Sequence, residues 1–387
     1  MSAVSEPAPL DETTTLHAHA TALFERYPDG PPPRGGRPYP DQAEHRARNR
    51  ARRAAGSRGG QDNYRQRATH AADILVGYFS QPVDAARPEQ WYHEFVKADA
   101  PIHRSPAIAE AAAAVEPARV RDLGRWLVLH STDTEAAVLG LALLTEAGGA
   151  EDISLIQRIG LLSDTFGALA ARALERLPDP VEPLIWLAER SAGWGRVYIV
   201  EALCRLAEPA SFPWLLRRAI DGDFLNAYYA GKVATTAPVH EVIAGRSPDE
   251  EVIDHTGRLL LVLTYAHGMG GSLDTYAHAR QVLLQYAHHA ARLEPSAERY
   301  FTARILAEDL DAGSGSRLDW GPGELEGIRA AFHALLARPG WTAAVQRALD
   351  VGDGHQRHAA AWAATRLGIT AHAPAHSSTR SDGDADD

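Results

Sequence analysis

The sequence predicts an all-α protein whose middle is an α-solenoid, and three observations carry the prediction. Apolar residues recur at helical spacing through most of 68–370. Alternating runs bounded by hairpin turns are missing, and Asn-Gly does not occur. A two-helix unit recurs about every 30 residues, the mark of stacked helix pairs that cover one another's apolar faces.

Taken in order, residues 16–27 form a short amphipathic piece, and 28–67 are rich in Pro, Gly and Arg. A stretch of that composition buries too little apolar surface to offset its ordering entropy, so 1–67 reads as a mostly disordered arm. Within 165–177 one stripe holds Leu169, Ala173 and Leu177, beside Ala170 and Leu174. Residues 196–207 repeat the pattern with Val197, Val200, Cys204 and Ala207 on one stripe and Ile199, Leu203 and Leu206 on another, which means burial on two sides. Residues 211–220 continue it through Phe212, Leu215, Leu216, Ala219 and Ile220. The dipeptides Ala142-Leu143, Ala173-Leu174 and Ala202-Leu203 each precede a break and a shorter apolar helix, at steps of 31 and 29 residues. After Gly245 the period blurs into longer patterns at 250–267 and 275–293. The helical body is expected to run from 68 to 370, with a last block over 324–367 behind the break at 311–323. Residues 371–387 read as a disordered acidic tail.

The formal charge of -11 argues against a chain wrapped along its length by nucleic acid or anionic lipid. It is unevenly spread: 34–67 carry +7, the two terminal stretches offset that, and 68–370 carry all -11. A single cysteine, Cys204, allows no internal disulfide and no cysteine zinc site. No apolar run reaches the roughly 18 residues of a membrane span. Residues 1–10 lack the basic start and apolar stretch of a signal peptide. A cytoplasmic protein without membrane partners is expected.

The stretch Gly193-Trp-Gly-Arg-Val-Tyr-Ile-Val-Glu-Ala-Leu203, followed by Trp214-Leu-Leu and Asp223-Phe-Leu-Asn-Ala-Tyr-Tyr229, resembles bacterial HEAT-like repeat proteins of unassigned function. The resemblance covers about a third of the chain, from Asp133 to about Ala244. It implies a scaffold with a concave binding surface for a protein partner, and no particular reaction, cofactor or functional residue.

Candidate binding residues cluster at Trp194, Arg196, Trp214, Asp223, Asn226, Tyr228, Tyr229 and Lys232, where flat rings and polar groups would line the inner helices of a solenoid. Arg196 and Lys232 could hold an anion there. The structural counterpart is that the two tryptophans fill gaps between repeats and Asp223 caps a helix. The arm offers a second candidate: ten arginines over 34–67, with Arg46, Arg48, Arg50, Arg52 and Arg53 as an anion-binding run and Tyr39 and Tyr64 nearby. Its counterpart is a linker that returns to the protein's own acidic body.

A nucleic-acid-associated protein is therefore the alternative function, in its most specific form a HEAT-like glycosylase of alkylated bases with Asp223 as the carboxylate among aromatics. A small-molecule enzyme at 194–232 is a third class. His355 with His358, and His288 with His289, lack the spacing of a metal motif, so no metal or cofactor is expected. Gly268-Met-Gly-Gly271 and Gly313-Ser-Gly-Ser-Arg317 lack a phosphate loop's ending and read as interhelical loops. Asp249-Glu-Glu251 reads as the acidic first turn of a helix.

Overall fold

A computed structural model describes residues 14–54, 61–83, 85–221, 223–266, 268–312, 318 and 320–369; the side chains of 52–54, 61, 62, 224 and 355 are outside that description. Among the described residues every regular element is helical. The chain forms two compact units, one up to Pro238 with Gly268–Gly271, the other from Val239 onward without that loop. The single body expected over 68–370 thus divides at 238/239, close to where the 30-residue period blurs.

The first unit begins with α1 (Leu16–Arg26), capped by the Thr15 hydroxyl, which accepts from the Ala18 N–H at 3.1 Å. Behind it come α2 (Gln42–Ala54), α3 (Gln61–Phe79), α4 (Pro88–Lys97), α5 (Pro106–Ala113) and α6 (Pro117–His130). Proline opens α4, α5 and α6 at the position where its missing N–H has no helical partner to lose. Next are α7 (Thr134–Ala147), α8 (Ile153–Gly160), α9 (Ser163–Glu175), α10 (Val181–Glu189), α11 (Gly193–Leu206), α12 (Phe212–Leu215) and α13 (Ala230–Thr236).

These helices pack in two rows. One runs α7, α9, α11, α13; the other runs α6, α8, α10 and the 3-10 turn Pro209–Ser211 that leads into α12. The Ala-Leu steps read from the sequence lie in α7, α9 and α11, and all six residues are buried. The two stripes of 196–207 are buried as expected up to Cys204; Leu206 is half-buried, and Ala207 is exposed at the C-cap of α11, where the chain leaves the helix. Ion pairs repeat at the same interval along the first row: Glu146 to Arg176 (3.3 Å), Glu175 to Arg205 (2.9 Å), and Glu201 to Lys232. Close approach in this row depends on glycine. A Cβ on Gly195 would lie 2.4 Å from the Ser163 Cβ, and one on Gly167 would lie 2.5 Å from the Gly195 Cα.

The described part of 1–67 corrects the expected disordered arm. Residues 16–26 are α1 as the pattern implied, and the Pro/Gly/Arg stretch forms a strap followed by α2 and the start of α3. The cut at 67/68 falls inside α3. The physical reason is that the strap's partners are far away in sequence, so its own composition does not reveal them. The Tyr39 hydroxyl donates to the Leu162 carbonyl at 3.4 Å, its ring lies 6.5 Å from that of Phe166, and the Asp41 carboxylate accepts from the Thr134 N–H and hydroxyl, both at 2.7 Å. At Gly36 the backbone has φ 81° and a Cβ would meet Leu162 at 2.6 Å, so only glycine fits. Residues 1–13, 55–60 and 370–387, including the expected acidic tail, lie outside the described residues.

Buried His19 fastens the strap by donating from Nε2 to the Gly36 carbonyl at 2.7 Å. Burial holds its imidazole below the ordinary 6.5, against the upward pull of that hydrogen bond. A histidine depressed in the folded state destabilises the fold as pH falls through its unfolded value, because the unfolded chain takes the proton first. The first unit's urea midpoint should therefore drop between about pH 7.5 and pH 5.5, and His19→Gln should flatten that slope.

The second unit contains α14 (Val239–Ile243), α15 (Glu250–Tyr265), α16 (Ala279–Ala290), α17 (Ala297–Asp311), α18 (Glu324–Leu336), α19 (Trp341–Val351) and α20 (Gly354–Leu367). Asp249 caps α15, accepting from the Val252 N–H at 2.9 Å, so the acidic run is a first turn as read. The last three helices occupy the block expected over 324–367. Here α14, α16 and α18 pack in sequence, and α17 lies against α15, α18, α19 and α20. Arg299 ties α17 to α15 with a two-pronged contact to Asp254, both bonds 2.8 Å, and a further one to Glu250.

Candidate functional site

The eight candidate residues of 194–232 separate into a buried group and an exposed one. Arg196 is only 6% exposed. Its Nε reaches Asp221 at 2.8 Å, one terminal nitrogen donates to the Ala188 carbonyl, and the other donates to the carbonyls of Arg218 (2.8 Å) and Ala219 (3.3 Å). Its guanidinium lies 5.4 Å from the centre of the Trp214 ring, whose indole N–H donates to Glu189 at 3.2 Å. Asn226 and Tyr229, each 1% exposed, complete this network: Asn226 donates to Asp221 at 2.9 Å, and the Tyr229 hydroxyl donates to the Ala219 carbonyl at 3.1 Å and contacts Asn226. Burial pushes the Tyr229 phenol well above its ordinary range.

Four candidates are thus internal fasteners, and two more are committed elsewhere. Asp223 caps the 3-10 helix Phe224–Tyr228 through the Leu225 N–H at 2.9 Å and also accepts from Gly193, the first residue of α11, at 3.4 Å. Its carboxylate serves backbone groups, as the structural counterpart anticipated. Lys232 is paired with Glu201. As groups able to hold an external anion, Arg196 and Lys232 are therefore corrected: each cation already has its carboxylate.

What remains outward is aromatic. Trp194, 41% exposed, lies 4.7 Å from Tyr228 and 6.1 Å from Tyr198, and Tyr198 meets His103 edge-on at 5.2 Å. The four rings make a continuous row from the loop before α5, across the start of α11, to the 3-10 helix. Among the described residues no hydrogen-bond partner exists for the Trp194 indole N–H or for the hydroxyls of Tyr198 and Tyr228. Partial burial and the nearby Glu201 raise the Tyr198 phenol above its ordinary value, keeping it protonated as a donor. The loop Gly268–Gly271 closes on the far side, with Gly270 so near the Tyr228 carbonyl that a Cβ there would lie 2.2 Å away. Tyr198 and His103 were missed in the sequence. Tyr198 stands one helical turn after Trp194 and was legible by spacing; His103, about 90 residues earlier, gave no signal.

Three of the arginines of 34–67 are tied into the fold, one of them in the run over 46–53. Arg48 contacts Asp133 at 2.7 Å and Asp41 at 3.5 Å, Arg37 contacts Asp164 at 3.8 Å, and Arg67 contacts Asp99 at 2.9 Å. Tyr64 donates to the Arg104 carbonyl at 2.8 Å. Arg46 and Arg50 are exposed on α2; Arg52 and Arg53 lie beyond the described side chains. Read as a free anion-binding arm, Arg48 is corrected: it returns to the acidic body, which was the stated counterpart. No group of three or more His, Cys, Asp or Glu among the described residues is placed to hold a metal ion, and His289 donates or accepts at the Ile243 carbonyl at 3.0 Å. No described helix is long and apolar enough to cross a membrane. Comparisons with family models, with curated proteins and with solved structures each return no match.

Proposed function

We propose that this chain is a non-catalytic, HEAT-like α-solenoid that binds or scaffolds a protein partner through the face carrying Trp194, Tyr198 and Tyr228. The observation that carries it is the ring row, exposed at Trp194 and half-buried at Tyr198 and Tyr228, set where the neighbouring charged groups are already paired within the protein. Aromatic side chains with an apolar body and an unused polar tip are what protein interfaces are rich in. The solenoid is supported by helix pairs that step at 29 to 31 residues and by ion pairs that recur at the same interval. A partner would lie along the concave side of that stack.

A nucleic-acid role, including the HEAT-like alkylated-base glycosylase form, would rest on Arg46 and Arg50, exposed on α2. One experiment separates the two. A photo-reactive amino acid at position 198 should form a discrete cross-linked protein product in extract of the producing cells, lost in Trp194→Ala/Tyr228→Ala. The purified chain should show no duplex DNA binding at about 50 mM salt, where phosphate contacts are strongest. Duplex binding abolished by Arg46→Glu/Arg50→Glu, with no product at 198, would replace the protein-binding role with the nucleic-acid one.

A further inference from the structure

Arg48, Arg196 and Arg299 are each answered by carboxylates within the protein, whereas Arg158, on α8 where α1 packs against it, is not. Among the described residues Arg158 makes no ion pair and no hydrogen bond, and its Nη1 is shut off from water without a partner. Burial pulls the guanidinium below its ordinary range, and the charge that pulls it back is that of Glu25, which is exposed. One flat face of the guanidinium is covered: its central carbon lies 3.7 Å from the centre of the Phe24 ring on α1. Phe24 is backed by Trp186 at 5.5 Å, and Arg190, 4.5 Å over Trp186, donates to the Pro28 carbonyl at 2.7 Å. The platform is therefore held in place, and the N–H edge of Arg158 is what it leaves for a ligand. Two more polar groups share that side of α1. His17, Thr21 and Phe24 stand at i, i+4 and i+7, on the one helix face that meets Arg158. The Thr21 hydroxyl is also buried without a partner, and burial and then the Arg158 charge hold the His17 imidazole below its ordinary value.

We propose that Arg158, Thr21 and His17 bind a phosphate group between α1 and α8. A buried donor left unmatched is costly, and here two of them, a guanidinium N–H and a hydroxyl, lie on facing helices. A water molecule would satisfy the hydroxyl and leave the guanidinium charge unanswered. A planar carboxylate would fill the guanidinium fork with both its oxygens and have none left for the groups on α1. A tetrahedral oxyanion presents oxygens to the fork, to Thr21 and to the imidazole at once, and its negative charge relieves the repulsion between Arg158 and a protonated His17. The site uses none of the ring row at Trp194, Tyr198 and Tyr228, so it stands or falls apart from the protein-binding role.

Calorimetric titration of the full chain with inorganic phosphate, near neutral pH and at constant ionic strength, tests this against acetate and chloride. Saturable phosphate binding at a single site is expected, with acetate and chloride weaker by roughly tenfold or more. Thr21→Val removes one donor and keeps the shape of the side chain. It should weaken phosphate about tenfold, the effect of losing a hydrogen bond to a charged group. In phosphate-free buffer its urea midpoint should stay level or rise, because an unpartnered buried hydroxyl is gone. Arg158→Gln should abolish binding, and Arg158→Lys should restore little of it, since an ammonium does not reproduce the fork. Phenyl phosphate distinguishes the source of the group: binding equal to that of inorganic phosphate marks a phosphate ester, and refusal marks the free ion. No saturable phosphate binding, a chloride affinity equal to that of phosphate, or phosphate binding that survives both Thr21→Val and Arg158→Gln overturns the inference. Thr21→Val keeps the test decisive even where loss of Arg158 unfolds the chain.

Discussion

Arg196→Ala should lower the stability of the first unit by about 3 kcal/mol, with no change in its exposed surface. Arg196 holds three places together: the C-terminal end of α10 through Ala188, the turn after α12 through Arg218 and Ala219, and the approach to the 3-10 helix through Asp221. The Asp221 side chain is 39% exposed and can rehydrate when its partner leaves, so the lost ion pair is the smaller part of the cost. The larger part is the loss of the charged donor to the Ala188, Arg218 and Ala219 carbonyls, of which Ala219 keeps only Tyr229, and the gap beneath Trp214. Lysine should recover little, because a single ammonium cannot replace a planar fork that reaches an aspartate and three carbonyls at once. Urea unfolding followed by tryptophan fluorescence checks this. An anion-binding Arg196 would behave in the opposite way, leaving the midpoint unchanged and losing only a ligand.

Arg196 also shows where sequence stops being informative. The apolar spacing of 196–207 correctly assigned α11 and its two buried sides, because Val197, Val200 and Cys204, and Ile199 and Leu203, obey a local rule of 3.6 residues per turn. That rule places Arg196 on the helix without saying whether the side chain points to water or to a neighbour 22 residues on. Trp194 and Trp214 were equal candidates in the sequence, yet one is exposed and the other buried, since only the second has Glu189 and Arg196 around it. The same limit explains the strap. Composition measures what 28–54 can bury by itself, whereas its order comes from Leu162, Phe166 and Thr134, more than 90 residues away. The period at 142, 173 and 202 was legible because stacked repeats print their contacts at a fixed interval; the division at 238/239 was not, since a boundary is set by contacts that are missing.

Arg48→Ala is expected to be the most damaging single change to the strap, at about 3–5 kcal/mol, the range for leaving buried charge without its partner. Asp41 and Asp133 are 7% and 12% exposed in their side chains, and buried Glu135 adjoins through His45 at 3.4 Å; Arg48 is the guanidinium placed among these carboxylates. Without it, like charges face one another at the N-terminus of α7, and α2 has lost its principal tie. Hydrogen exchange should rise over 33–48 while α9 and α11 stay protected, because their packing on each other does not involve the strap. The pH dependence gives an independent check. Burial already holds the Asp133 carboxyl above its ordinary 3.8, with Arg48 opposing that and Asp41 adding to it. Deleting Arg48 raises it further. An acid raised in the folded state weakens the fold above its folded value and ceases to do so once it is protonated. The stability gap between the parent chain and Arg48→Ala should therefore narrow as pH falls from neutral toward 3.8, and Asp133→Asn in the same background should narrow it at neutral pH. A gap that widened on acidification would mean that Arg48 acts through packing of its stem, and that the carboxylates beside it are neutralised by other means.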